Sequence, residues 1–248
     1  MHTAPRGAHD RPATHGAERP VTVARADSAA GEVALRLRGD VVELIVGGVF
    51  VMDTVDVSTE VELAAVSLEP HPRPAQVLVG GLGLGFTAAA VLADRRVERV
   101  LVAEVAAPLL GWAREGLLPA AGLDDPRLEM RVADVVTVLR ESPGEWDVVL
   151  LDVDNGPDFL VRAENAQLYA GAGLRSAVAA LRPGGSLAIW SSHRAPHLTA
   201  TLSSLGGGSV REVVRAVRRD GRVFEYAIYL LTLDGGDETD LSAPHTGE

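Results

Sequence analysis

The stretch DVVLLDVDNGP, Asp147 to Pro157, decides how this chain folds. Val148 to Leu151 run without polar alternation, which is how a strand reads when helices cover both of its faces. Two carboxylates one residue apart, Asp152 and Asp154, follow at once, and then Asn155, Gly156 and Pro157, which make a good turn. Asp152 is therefore expected at the carboxyl end of a buried parallel strand, the edge at which open α/β sheets bind ligands.

The same pattern extends in both directions. QVLVG, a helix over residues 86–93, RVLVAE, a helix over 106–117, RLEMRVAD, a short helix to about Arg140, DVVLLD, a long helix near 164–181, and SLAIW alternate strand with helix. Such alternation implies parallel strands joined by right-handed crossovers. SVREVVRAV and RVFEYAIYLL flank RRDGR, whose Asp220-Gly221 is a hairpin signal, so the chain is expected to end in an antiparallel edge strand. The fold class is a doubly wound, mostly parallel, seven-stranded α/β sheet.

Ahead of it, GEVALRLRGDVVELIVGGVFVMDT reads as a small antiparallel meander, and STEVELAAVSL as a helix capped by Ser58 or Thr59. EPHPRP is a stiff linker. The expected division is a tail over residues 1–30, meander plus helix over 31–70, a nucleoside-binding unit over 74–234, and a flexible tail over 235–248. His2, His9 and His15 are spaced too irregularly in the first tail to be read as metal ligands.

Composition narrows the chemistry. The 248 residues are 47% hydrophobic, enough for one good-sized core, and a net charge of −11 argues against a sequence-independent grip on nucleic acid. All 23 basic residues are arginine and cysteine is absent, which excludes disulfides, thiolate nucleophiles, lysine Schiff bases and a Walker lysine. No apolar run reaches membrane-spanning length and no secretory leader is evident, so a cytoplasmic protein is expected.

Candidate functional residues gather at the expected strand ends. VLVGGLGLGFT puts Gly81, Gly83 and Gly85 between the first buried strand and its helix, where a backbone can approach a ligand closely; the same glycines also suit plain close packing. VLVAEV ends in Glu104, about twenty residues on, suited to both hydroxyls of a ribose. VADVV puts Asp134 at the same rim, as an acceptor for an exocyclic amine such as that of adenine or as a helix cap. Asp152, Asp154 and Asn155 are hard oxygen donors, but three residues on one turn rarely complete a Mg²⁺ site, and no metal is expected. His193 and His197 read as loop histidines near the rim. With no G-x-S-x-G elbow and with Ser191, Ser192 and His193 adjacent, a hydrolase is poorly supported.

Four strands delivering a glycine turn or a carboxylate to one edge resemble class I S-adenosylmethionine-dependent transferases. More narrowly, the chain resembles the spermidine synthase family, the polyamine aminopropyltransferases. GGLGLGFT is near that family's GGGDGGT, VLVAEV carries its ribose glutamate, LDDPRLEMRVADV is near its DPR…DG segment, and DVVLLDVDNGP is near its D-(S/T)-(S/T)-D-P loop. Leu168-Tyr169, LRPGG and the meander complete the likeness over most of residues 40–233. It implies that Gly81, Gly83 and Gly85 line a sulfonium nucleoside, Glu104 holds its ribose, Asp134 its adenine, and Asp152 is the base that deprotonates an amine acceptor. The co-substrate would be S-adenosylmethionine or its decarboxylated form, the partners small molecules, and the assembly a homodimer.

The chain departs from that pattern at four places. The acid expected within the glycine turn falls on Leu84, the second loop aspartate on Asn155 beside Asp154, a glutamine on Val51, and a Tyr-His pair on Glu60-Val61, with the following glutamate kept as Glu62. Glu60, Asp154 and Asn155 are therefore the candidate substrate residues. A methyltransferase acting on a small molecule and a non-catalytic nucleoside-binding homologue are the alternative readings.

Overall fold

A computed structural model describes residues 19–219 and 221–235. Four strands, β1 (Val21–Ser28), β2 (Gly31–Arg38), β3 (Val41–Val46) and β4 (Val49–Asp53), form an antiparallel sheet in sequence order. β1 falls within the stretch expected to be tail. Its alternating Val21, Val23 and neighbours pair with β2 from Val21 opposite Leu37 to Ser28 opposite Gly31. The three histidines of the expected tail lie outside the described residues.

Helix α1 (Ser58–Leu68) follows, and its start differs from the expected serine or threonine cap. Asp56 Oδ1 accepts from the Ser58 N–H at 2.9 Å, so the acid two residues upstream satisfies a donor that neither hydroxyl reaches. The second sheet is built from β5 (Gln76–Gly80), α2 (Phe86–Ala93), β6 (Arg99–Glu104), α3 (Ala107–Arg114), β7 (Leu128–Val132), α4 (Val135–Glu141) and β8 (Trp146–Leu151). After a loop come α5 (Ala166–Tyr169), α6 (Gly171–Ala179), β9 (Leu181–Ser191), α7 (Pro196–Leu205), β10 (Gly208–Arg219) and β11 (Arg222–Leu233).

The seven strands lie in the order β10-β11-β9-β8-β5-β6-β7. β5 through β9 are parallel, while β11 runs antiparallel to β9 and carries its hairpin partner β10 outside it. β9 supports only Ala227 to Thr232 of β11; Arg222 to Tyr226 pair with β10 alone. Asp220 of the expected turn lies outside the described residues.

The apolar run in β8 has the predicted physical basis. Val148 and Leu150 sit in a core shared with α1, α2, α3 and the first sheet, while Val149 and Leu151 sit in a second core under α4, α6 and α7. All four are fully buried, each contributing about 1.5–3 kcal/mol of apolar burial. The long helix expected near 164–181 is instead broken. A short 3-10 turn, Ala163–Asn165, leads into α5, and Ala170 adopts an extended ψ of 154° before α6 turns back. A Cβ at Gly173 would lie 2.2 Å from the Gln167 carbonyl oxygen, so glycine lets the two short helices pack backbone to backbone. Among the described residues, no helix is long and apolar enough to cross a membrane.

Candidate active site

The carboxyl ends of β8, β5, β6 and β7 stand side by side, and backbone hydrogen bonds continue the ladder past the strand ends. Asp152 N–H donates to the Gly80 carbonyl at 2.9 Å, Gly81 N–H to Ala103 at 2.9 Å, and Ala133 N–H to Glu104 at 3.1 Å. Gly81 adopts φ 88°, and a Cβ there would lie 2.1 Å from the Asp152 carbonyl oxygen. Only glycine lets the first turn pass under the acidic tip.

Two cavities open at this edge. One, labelled the donor lobe after the donor that the family resemblance implies, is lined by Gly81, Gly83, Glu104, Asp134 and Asp152, with Val161, Arg162 and Asn165 from the loop after β8. Ala30, Leu44, Val46 and Val51 of the first sheet roof it. The other, labelled the acceptor lobe after the acceptor that the resemblance implies, is lined by Phe50, Val51 and Met52 of β4, Asp56, Thr59 and Glu60 around the start of α1, and Asn155, Trp190, Ser192, Val217 and Tyr226. Val51 borders both.

Glu104 is 9% exposed, and its oxygens accept from the Leu82 N–H at 2.9 Å and the Ala106 N–H at 2.7 Å. Burial pushes its carboxyl above the usual range, and these backbone donors and the Arg162 guanidinium oppose that rise. Asp134 takes the helix-cap alternative, with Oδ1 accepting from the Val136 N–H at 2.8 Å, and the residue also lines this cavity. Asp152 is partly buried, and desolvation pushes its carboxyl up to about 6, against a hydrogen bond from the Thr87 hydroxyl at 2.7 Å.

Other candidates lie elsewhere. Gly85 caps α2 and faces Leu123, whose Cδ1 would be 2.7 Å from an added Cβ, so it shapes the turn without lining either lobe. Asp154 is 5% exposed. Its Oδ1 accepts from the Val161 N–H at 2.7 Å and from Asn165 Nδ2 at 2.9 Å, so it fastens the loop. Burial raises its carboxyl, and those bonds oppose the rise. Asp152, Asp154 and Asn155 thus diverge to the donor lobe, the loop and the acceptor lobe. Leu84 is fully buried in the core. Glu60 lines the acceptor lobe with Oε2 accepting from the Thr59 hydroxyl at 2.8 Å, Val61 is exposed, and Glu62 pairs with Arg215. His193 and His197 both face Asp158, at 3.2 and 3.7 Å.

The sequence reading missed Thr87, Arg162 and Asn165. Thr87 had a usable signal, since the first turn of α2 faces the neighbouring strand tip. The other two sit in a loop without periodicity.

The chain was compared with known proteins. No family profile matches it. The polyamine aminopropyltransferase of Thermotoga maritima is 34% identical over 114 residues, 43% of this chain and 38% of that protein. The polyamine aminopropyltransferase of Nitrosomonas europaea is 30% identical over 182 residues, 70% of this chain and 53% of that protein. The chain thus spans about half, or less, of the length of these curated relatives. A solved spermidine synthase in complex with the transition state analogue AdoDATO superposes with a TM-score of 0.73 at 21% identity, covering 85% of this chain and 73% of the other. A probable spermidine synthase from Corynebacterium glutamicum gives 0.62 at 19% identity, covering 84% and 79%. The chain is thus similar in sequence to polyamine aminopropyltransferases over part of their length and shares the fold of solved spermidine synthases.

Proposed function

We propose that this protein is a transferase that moves an aminopropyl or related alkyl group from a sulfonium nucleoside to an amine acceptor, with Asp152 as the general base. The observation that carries this reading is a partly buried carboxylate, raised to about 6, at the end of a lobe whose other polar groups suit a nucleoside. Glu104 would take the ribose hydroxyls and Asp134 the adenine amine. A second lobe, holding Asp56 and Glu60, abuts at Val51 and suits a cationic amine.

In the transfer, the amine nitrogen's lone pair forms a bond to the carbon beside the sulfonium. The carbon–sulfur bond breaks with its electrons going to sulfur, and methylthioadenosine leaves. The proton lost by the amine goes to Asp152, whose raised proton affinity suits it to this role near neutral pH better than an ordinary aspartate. Thr87 holds the carboxylate in place through its hydroxyl.

The test is release of methylthioadenosine from each sulfonium donor when a panel of mono- and diamines is added. Asp152→Asn should lower that release by roughly 10²–10⁴-fold, the range of general base catalysis, while methylthioadenosine affinity stays within a few fold. Full turnover in the variant would remove Asp152 from the mechanism.

A further inference from the structure

We propose that Arg162 selects a donor that keeps its carboxylate, so that the protein prefers S-adenosylmethionine to the decarboxylated form. This deepens the transferase reading and rests on it. Among the described residues, Arg162 is the one cationic side chain that lines the donor lobe. Its placement is built in. Asp154 Oδ1 takes the N–H of Val161, the residue before it, and the amide of Asn165, three residues after it, so one buried carboxylate pins the segment on both sides of the arginine.

Arg162 and Glu104 line the same lobe, and the guanidinium's charge opposes the burial-driven rise of the Glu104 carboxyl. Its ion pair with Glu164 is long, at 3.8 Å, and Glu164 is 65% exposed, so that pair leaves most of the positive charge available. The glycine turn presents no acid in return, because Leu84 is sealed in the core.

The two donors differ in one group. Both carry a sulfonium and an ammonium; only S-adenosylmethionine adds a carboxylate. A guanidinium in a half-enclosed lobe pairs with a carboxylate in fork geometry and repels an unaccompanied ammonium. The group moved from sulfur would then retain the carboxylate.

The experiment is calorimetric titration of the full chain with S-adenosylmethionine, its decarboxylated form and methylthioadenosine, repeated on Arg162→Gln and Arg162→Lys. The expected result is at least tenfold tighter binding of S-adenosylmethionine by the wild-type protein, erased in Arg162→Gln and largely kept in Arg162→Lys. Methylthioadenosine, which lacks both tail charges, should bind all three proteins within a few fold. Equal or tighter binding of the decarboxylated donor by the wild-type protein would overturn the proposal even if a variant failed to fold. So would an Arg162→Gln variant that weakens both donors equally, the mark of a purely structural arginine. Failure of the wild-type protein to bind methylthioadenosine would instead overturn the nucleoside reading on which the proposal rests.

Discussion

Replacing Asp152 with asparagine should make the protein more stable at the very pH where it loses activity. In the unfolded chain this aspartate titrates near its ordinary 3.8, whereas in the folded protein desolvation raises it to about 6. Between those values the native state holds more protons than the unfolded one, so raising the pH through the window removes stability. At ~1.4 kcal/mol for each tenfold in proton affinity, the loss reaches about 3 kcal/mol and is complete above pH 6. Asparagine carries no charge at any pH, and its carbonyl can still accept from Thr87. The gain of Asp152→Asn over wild type should therefore grow from near zero around pH 4 to as much as about 3 kcal/mol at pH 8, a rise in midpoint temperature of roughly 6–12 °C for a chain of this size. Urea unfolding of both proteins at several pH values measures it, and the difference cancels the other titrating groups. A gap that stays flat with pH, or a less stable variant at pH 8, would refute the reasoning.

Further outcomes follow from the same geometry. Thr87→Val removes the hydroxyl that holds the Asp152 carboxylate down, so the rising limb of a kcat/KM profile should move to higher pH while the maximum changes less. Gly81→Ala puts a methyl 2.1 Å from the Asp152 carbonyl oxygen at a positive φ, and circular dichroism melts should show a loss of several kcal/mol, the scale of strain plus overpacking. Asp154→Ala frees Val161 and Asn165, costing about 1–3 kcal/mol for the unmet buried donors, and hydrogen exchange should speed up over residues 156–165.

Much of the frame was legible because it depends on patterns longer than one residue. The unbroken apolar runs of β5, β6 and β8 require two covered faces, and two cores flank the sheet accordingly. The rim positions of Glu104, Asp134 and Asp152 follow from where those runs stop. What depended on local geometry was less legible. β1 was absorbed into a Pro- and Ala-rich stretch, since its register is set by pairing with β2 and not by its own pattern. The break at Ala170 has no proline to announce it; the only trace is Gly173, whose small size permits the contact between α5 and α6. Asp154 and Asp152 look equivalent in sequence, and only the path of the following loop leaves one lining the cavity and takes the other to Val161.

The two lobes differ in how their walls are held. The donor lobe is floored by the ends of β8, β5 and β6, each hydrogen-bonded on both sides, and of the edge strand β7, and is roofed by Leu44 and Val46, both core residues of the first sheet. Val217 and Tyr226 of the acceptor lobe belong to the half of the β10–β11 hairpin that has no third strand beside it. That end of the ribbon is held by its hairpin partner and by the packing of Tyr226 on Trp190, with ring centroids 5.5 Å apart. On the proposed reading, the nucleoside side of the reaction rests on the parallel sheet and the amine side on a hairpin end, so the two halves of one site would answer to different parts of the fold.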